Sequence, residues 1–177
     1  MVAVRLKDRQ RVELVATILL PMSAGMVWGQ MRSFAYFVGL DPFHAGIRAA
    51  DESVRLGAGA AIVLGHRFGP IRFDRVGRVL KWREGTGYSF SDLSRGGNGV
   101  GFPHIFTYEV KPKVNGDCRL TIAVRGRWTA TMLPAWMIRR WLRWTMGHTL
   151  HSIHNQLMVI EIHRRASRNK DWIDHGD

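Results

Sequence analysis

Residues 134–165 read PAWMIRRWLRWTMGHTLHSIHNQLMVIEIHRR, and this stretch decides the fold. Pro134 suits the first turn of a helix, and no proline follows it. Gly147 is the one residue inside the stretch that weakens a helix. The stretch therefore predicts a C-terminal helix of about 30 residues, roughly 45 Å long at 1.5 Å per residue.

Two stripes of side chains run along nearly opposite sides of this predicted helix, at about 100° per residue. One stripe is apolar and suits packing on a sheet: Leu142, Met146, Leu150, Ile153, Leu157 and Ile160. The other mixes aromatic, Met and His residues: Met137, Trp141, Trp144, His148, His151, Asn155, Met158 and Ile162. Two interpretations of the second stripe stay open. It is ordinary core, or it lines a ligand cavity, a homodimer contact or a membrane contact.

The chain ahead of the helix predicts a sheet. Residues 12–20 read VELVATILL and end at Pro21, which indicates a strand. A helical stretch follows, with Ser23 as its cap, and continues to about Val38. Residues 46–129 consist of short apolar runs separated by Gly-rich turns, which predicts an antiparallel meander of about six strands.

A hairpin is the clearest part of this meander, because Asn115-Gly116 supplies the positive φ angles of a tight turn. Side chains along the first strand of the hairpin point alternately to its two faces, so that His104, Phe106 and Tyr108 share one face. The whole order predicts an α+β fold in which a curled antiparallel sheet of about seven strands surrounds the long helix. We expect one domain over residues 1–166 and a frayed polar tail over residues 167–177.

Two stretches carry a family resemblance: PMSAGMVW at 21–28, and FSD at 90–92 followed by GFPHIF at 101–106. With the order of elements over residues 12–164, they resemble the START-like (SRPBCC) superfamily, the helix-grip fold of polyketide cyclase/dehydrase-like, lipid-transfer and plant allergen proteins. The Gly-rich loop 95–101 departs from the compact linker of that family. The resemblance implies a cavity between sheet and helix for an apolar or aromatic small molecule. It carries no shared catalytic signature.

The expected ligand-binding residues come from three elements, and apolar walls with a few polar groups would supply affinity and orientation. They are Trp28 and Phe34 from the first helix, His104, Phe106 and Tyr108 from the sheet, and Trp144, His148 and His151 from the last helix.

The alternative function is a cyclase- or dehydratase-like lyase or a hydrolase. Its candidates for proton transfer are His104, Tyr108 and His148, with Asp92 as an orienting acid. A polar group on a pocket wall more often only orients a ligand, so we favour a binding protein over an enzyme. No cofactor is predicted.

Metal binding and thiol chemistry are disfavoured. His148 and His151 are helical neighbours, but no acidic residue lies between Asp117 and Glu161 to complete a metal site. Cys118 shares the apolar face of its strand with Leu120, which indicates a core residue. A single cysteine excludes an internal disulfide framework and fits a cytoplasmic protein.

The chain is basic: 26 Lys and Arg against 14 Asp and Glu give a net charge of +12. The cations concentrate at residues 67–83 and 125–143, which we interpret mainly as solvated strand faces. The alternative is a peripheral module that binds anionic lipid or nucleic acid. Three tryptophans, Trp136, Trp141 and Trp144, lie among three arginines and suit a membrane interface. No nucleic-acid-binding motif supports nucleic acid as the partner.

Overall fold

The computed structural model describes residues 11–41, 44–51, 56–68, 70–92, 102–128 and 134–174, so loop 95–101 and residues 1–10 and 175–177 lie outside it. The elements are β1 (Arg11–Leu20), α1 (Ala24–Met31), α2 (Phe34–Val38), β2 (His44–Ala49), β3 (Ala61–Phe68), β4 (Ile71–Arg83), β5 (Gly87–Asp92), β6 (His104–Pro112), a 3-10 turn (Val114–Gly116), β7 (Cys118–Arg127) and α3 (Ala135–Asp174).

The strands form one antiparallel sheet in the order β1-β7-β6-β5-β4-β3-β2. Strands β2 to β7 pair with their neighbours in sequence, and β1 joins the far side by pairing with β7. The predicted α+β architecture, a seven-stranded curled sheet with a long C-terminal helix, is confirmed.

The β6–β7 hairpin forms where the sequence predicts it. Asn115 and Gly116 have φ angles of 67° and 81°, and Pro112 pairs with Cys118 across the turn. Left-handed backbone of this kind is the reason that Asn and Gly occupy tight turns. The turn sets the register that puts His104, Phe106 and Tyr108 on the buried face of β6.

The first helical segment is two short helices, not the continuous helix to Val38 that the periodicity predicts. Ser23 caps α1 as expected, since its Oγ accepts from the amide of Met26 at 3.3 Å. Ser33 then leaves helical geometry, with ψ at 65°. The break lets both helices bury their apolar sides: Val27, Trp28 and Met31 in α1, and Phe34, Phe37 and Val38 in α2.

Helix α3 continues to Asp174, so the polar tail expected from residue 167 is helical over most of its length. The helix packs along β1, and its apolar stripe is the buried side, as predicted. Ile138, Leu142, Met146, Ile153 and Leu157 are buried there. Within the ranges given above, no helix is long and apolar enough to cross a membrane.

Candidate functional site

Three cross-strand pairs on the inner face of β5 and β6 form the centre of the site. Tyr88 pairs with Tyr108, Phe90 with Phe106, and Asp92 with His104. Residues two apart on a strand point to the same side, so all six side chains face one way. All six are buried. The inner face therefore changes along the strands from tyrosine through phenylalanine to a carboxylate beside an imidazole.

The tyrosine end of this surface is aromatic on all sides. Trp82 stacks on Tyr88 with ring centroids 5.3 Å apart, and Phe34 meets the edge of Tyr88 at 4.9 Å. Trp28 contacts both Trp82 and Tyr88 and donates from Nε1 to Glu84 Oε1 at 3.0 Å. Trp28 and Phe34, both predicted as pocket residues, thus contact Tyr88, the cross-strand neighbour of the predicted residue Tyr108.

Two hydroxyl groups are buried in this aromatic region without a hydrogen-bond partner among the described residues, those of Tyr88 and Tyr108. Burial raises the pKa of both phenols well above the ordinary value, so both stay protonated and able to donate. A buried hydroxyl with no partner costs about 1–3 kcal/mol. The two groups are therefore available to a ligand or to water.

The opposite end is polar and centres on Asp92, which is fully buried. Its Oδ2 lies 3.0 Å from His66 Nε2, 3.1 Å from an Arg75 guanidinium nitrogen and 3.7 Å from His104 Nε2. Burial alone would raise the pKa of Asp92, but the His66 contact and, at the low pH where Asp92 titrates, the charges of His104, His66 and Arg75 together lower it. Asp92 is therefore an anion, and its Oδ1 has no partner among the described residues.

His104 is neutral at pH 7. Burial lowers its pKa to about 4, although the charge of Asp92 and the carbonyl of Phe102 act in the opposite direction. The ring nitrogen Nδ1 lies against the Phe102 carbonyl, which can only accept, so Nδ1 carries the proton. Nε2 then presents a lone pair on the side of Asp92, and this nitrogen can accept a proton or a hydrogen bond.

A second imidazole–carboxylate pair adjoins the first. His44 Nδ1 lies 3.3 Å from Asp41 Oδ2, and the His44 ring is 5.2 Å from that of His66. Both residues of this pair are buried. We call the combined group the His–Asp cluster: Asp41, His44, His66, Arg75, Asp92 and His104.

The structure unites five of the predicted site residues and separates three. Trp28, Phe34, His104, Phe106 and Tyr108 belong to the surface just described. Trp144, His148 and His151 are exposed on the outer side of α3, with Trp144 57% exposed, so they do not line the interior. The reason is geometric: the opposite stripe of α3 faces the sheet, and His148 packs instead against Trp144, with ring centroids 4.4 Å apart.

The sequence interpretation missed four members of the cluster: Asp41, His44, His66 and Arg75. The alternation of Ile62, Leu64 and His66 on β3 placed His66 on the core face and could have identified it. The charge pattern of residues 67–83 predicts a solvated Arg75, but its side chain is only 15% exposed. It lies on the inner face because it is opposite Leu64 in the β3–β4 register.

Other candidate chemistry has less support. Cys118 is buried, and its pKa is raised to about 11 by burial and by the charge of Asp117, so it is a protonated core thiol as predicted. In the described part of the chain, no three His, Cys, Asp or Glu residues are placed to hold a metal ion.

An open groove of about 300 Å³ lies on the β2–β4 part of the sheet. Gly46 and Gly65 leave room in it, and Arg48, Arg72 and Asp74 are among its walls. Most of this lining, including Val63, lies on the outer face of the strands, opposite the face that buries the His66 side chain.

Comparisons with known proteins identify the fold. No family model matches the chain, and no curated protein matches it. The crystal structure of Ara h 8.0201 superposes with a TM-score of 0.61 at 11% identity, over 84% of this chain and 99% of that one. The crystal structure of TTHA0849 from Thermus thermophilus gives the same TM-score and coverage at 12% identity. The expected START-like helix-grip fold is thus confirmed, and at these identities the likeness concerns the fold alone.

Proposed function

We propose that this protein binds a small molecule with a hydrophobic or aromatic body and polar groups at its ends, between the sheet and the helices. The observation that carries the proposal is the set of buried polar atoms without partners in an aromatic interior. The set contains the hydroxyls of Tyr88 and Tyr108 and Oδ1 of Asp92. Buried polar groups in native proteins are almost always hydrogen-bonded, so these atoms favour an absent partner.

The spacing of these atoms describes the ligand. Tyr88 and Asp92 are four residues apart on one face of β5, which corresponds to about 13 Å along an extended strand. Phe90 and Phe106 stack between them, with centroids 5.6 Å apart. An elongated lipid or polyketide-like molecule would contact these rings. It would accept a hydrogen bond from a tyrosine at one end and donate one to Asp92 at the other.

The fold supports the same proposal from a separate direction. Proteins of the START-like superfamily hold hydrophobic ligands between the sheet and the C-terminal helix, and this chain shares their architecture. The aromatic end supplies apolar contact area, and the polar groups would fix the orientation of the ligand.

Native mass spectrometry of the protein purified from its own host tests this proposal. We expect a bound small molecule whose occupancy falls about fivefold in Tyr108→Phe, since a net hydrogen bond contributes about 1 kcal/mol. Tyr36→Phe is the matched control, because Tyr36 is 49% exposed on α2. Protein that carries no small molecule and also fails to bind anilinonaphthalene sulfonate with one-site saturation would contradict the proposal.

A second candidate is an enzyme that removes a proton from the bound molecule, as in cyclisation or dehydration. The observation in its favour is the neutral His104, whose Nε2 can take the proton while Asp92 stabilises the imidazolium that forms. His104→Asn removes Nε2 and keeps a donor for the Phe102 carbonyl. A dehydration would lower the mass of the extracted ligand by one water, and a mass-neutral cyclisation would change its chromatographic retention; the variant would show neither change. A ligand that stays unchanged with the native protein rejects the enzyme and leaves the binding proposal intact.

A further inference from the structure

The first half of α3 exposes large apolar side chains to solvent. Trp136, Met137 and Trp144 are 62%, 41% and 57% exposed. Arg140 and Arg143 are exposed beside them. We call these five residues the Trp–Arg face: Trp136, Met137, Arg140, Arg143 and Trp144.

The helix geometry makes these residues one continuous surface. Trp136, Arg140 and Trp144 follow one another at intervals of four and so form a row along one side of the helix. The two indoles are eight residues apart, which is about 12 Å along the axis. Met137 and Arg143 flank the row, so that apolar and cationic groups alternate over the convex surface of the helix.

The charge of this region has one sign. Residues 118–160 contain no Asp or Glu. Arg139 donates to the backbone carbonyl of Arg11 at 2.9 Å and is thereby tied to β1. Arg140 and Arg143 form no ion pair with any residue in the described ranges. Two guanidinium groups are therefore available to an anionic partner on the same surface as two exposed indoles.

We propose that the Trp–Arg face docks the protein on an anionic lipid membrane surface, with α3 lying in the plane of the headgroups. Tryptophan prefers this region, because its ring is apolar and its N–H remains wet. Arginine places its stem along apolar surface and its guanidinium against lipid phosphate. A helix with one such side binds parallel to the bilayer and does not need to span it.

Two other partners fit the face less well. In a symmetric dimer, Arg140 and Arg143 of each copy would lie near their counterparts without an acidic residue between them. Single-stranded nucleic acid prefers a basic groove that follows its backbone, whereas this surface is convex. The proposal is independent of the interior ligand, because none of its residues belongs to the interior site.

Vesicle sedimentation of the full chain tests the docking. We expect it to pellet with vesicles of phosphatidylcholine and phosphatidylglycerol and to remain mostly in solution with phosphatidylcholine alone. The partition coefficient should fall about fivefold in Arg140→Gln or Arg143→Gln, which corresponds to ~1 kcal/mol for each basic residue at an anionic surface. The partition coefficient of the double variant Trp136→Ala/Trp144→Ala should fall further than that of either arginine variant. High salt should weaken the binding of the native protein.

Matched controls come from the outer face of β4, where Arg78 and Leu80 are exposed. Arg78→Gln and Leu80→Ala should pellet like the native protein. Three results would overturn the proposal: no pelleting with anionic vesicles, pelleting unaffected by the double tryptophan variant, or a dimer in sedimentation equilibrium that the double variant dissociates. An RNA oligomer that binds this face while vesicles do not would also reject it.

Discussion

His66 Nε2 lies 3.0 Å from Asp92 Oδ2, and its other ring nitrogen lies 3.2 Å from the carbonyl oxygen of Leu64. Both ring nitrogens of His66 therefore face an oxygen that can only accept a hydrogen bond. The two side chains are 7% and 0% exposed, and Arg75 contacts the same carboxylate oxygen. Asp92 is therefore the anion that joins His66 of β3 and Arg75 of β4 in the interior.

Asp92→Asn is expected to destabilise the protein by about 3–5 kcal/mol, because it removes the buried anion that Arg75 and His66 both contact. Asp74→Asn is the matched control. Its ion pair with Arg48 has side chains 60% and 63% exposed, and loss of that pair should cost less than about 1 kcal/mol. Urea unfolding monitored by circular dichroism measures both changes. Equal losses in the two variants would contradict the central role of Asp92.

Stability is expected to fall as the pH drops from about 6.5 to about 4. The folded pKa of His104 is lowered to about 4 from 6.5, so the unfolded chain binds more protons in this window. The contribution of His104 to the free energy of unfolding is present above pH 6.5 and is lost as the pH falls to 4. This contribution amounts to up to about 3 kcal/mol. Asp92, whose folded pKa is also lowered, extends the loss to lower pH as its carboxylate takes up a proton.

Urea unfolding at a series of pH values checks this dependence. His104→Asn should flatten the slope between pH 4 and 6.5, while His151→Gln, at an exposed position on α3, should leave it unchanged. A slope that persists in His104→Asn would assign the pH dependence to other groups.

Tyr108→Phe is expected to raise the stability of the ligand-free protein while it weakens ligand binding. The substitution removes a buried hydroxyl that has no partner among the described residues. Its removal should raise the free energy of unfolding by about 1–3 kcal/mol. Thermal unfolding of delipidated protein measures the gain, and Tyr36→Phe provides the baseline. A loss of stability in Tyr108→Phe would show that the hydroxyl already has a partner in the free protein.

Two glycine substitutions should change the free energy of unfolding in opposite directions. A Cβ at Gly77 would overlap the carbonyl oxygen of Ser91 on the paired strand, so Gly77→Ala should cost at least about 2 kcal/mol. Gly147→Ala meets nothing within 4 Å and lies inside α3, so it should stabilise by up to about 1 kcal/mol. Thermal unfolding compares them, and a stable Gly77→Ala protein would contradict the close approach of β4 to β5.

Much of the fold was predictable because its signals are local. The capping of α1 by Ser23, the turn at Asn115 and the buried side of α3 each depend on residues within a few positions of one another. The break at Ser33 was not predictable, since the helical spacing of apolar residues continues through it. Burial of Phe34 and Phe37 against the sheet decides it.

By itself the sequence determined which side chains share a face, including His104, Phe106 and Tyr108 on β6. Strand alternation and helical periodicity are properties of neighbouring residues. Only the tertiary structure decided that His66 on β3, Arg75 on β4 and His104 on β6 meet at Asp92. Pairing between strands sets those distances, and the side of α3 that faces the sheet decides that Trp144 meets solvent. Such contacts join residues far apart in the chain, and no local pattern encodes them.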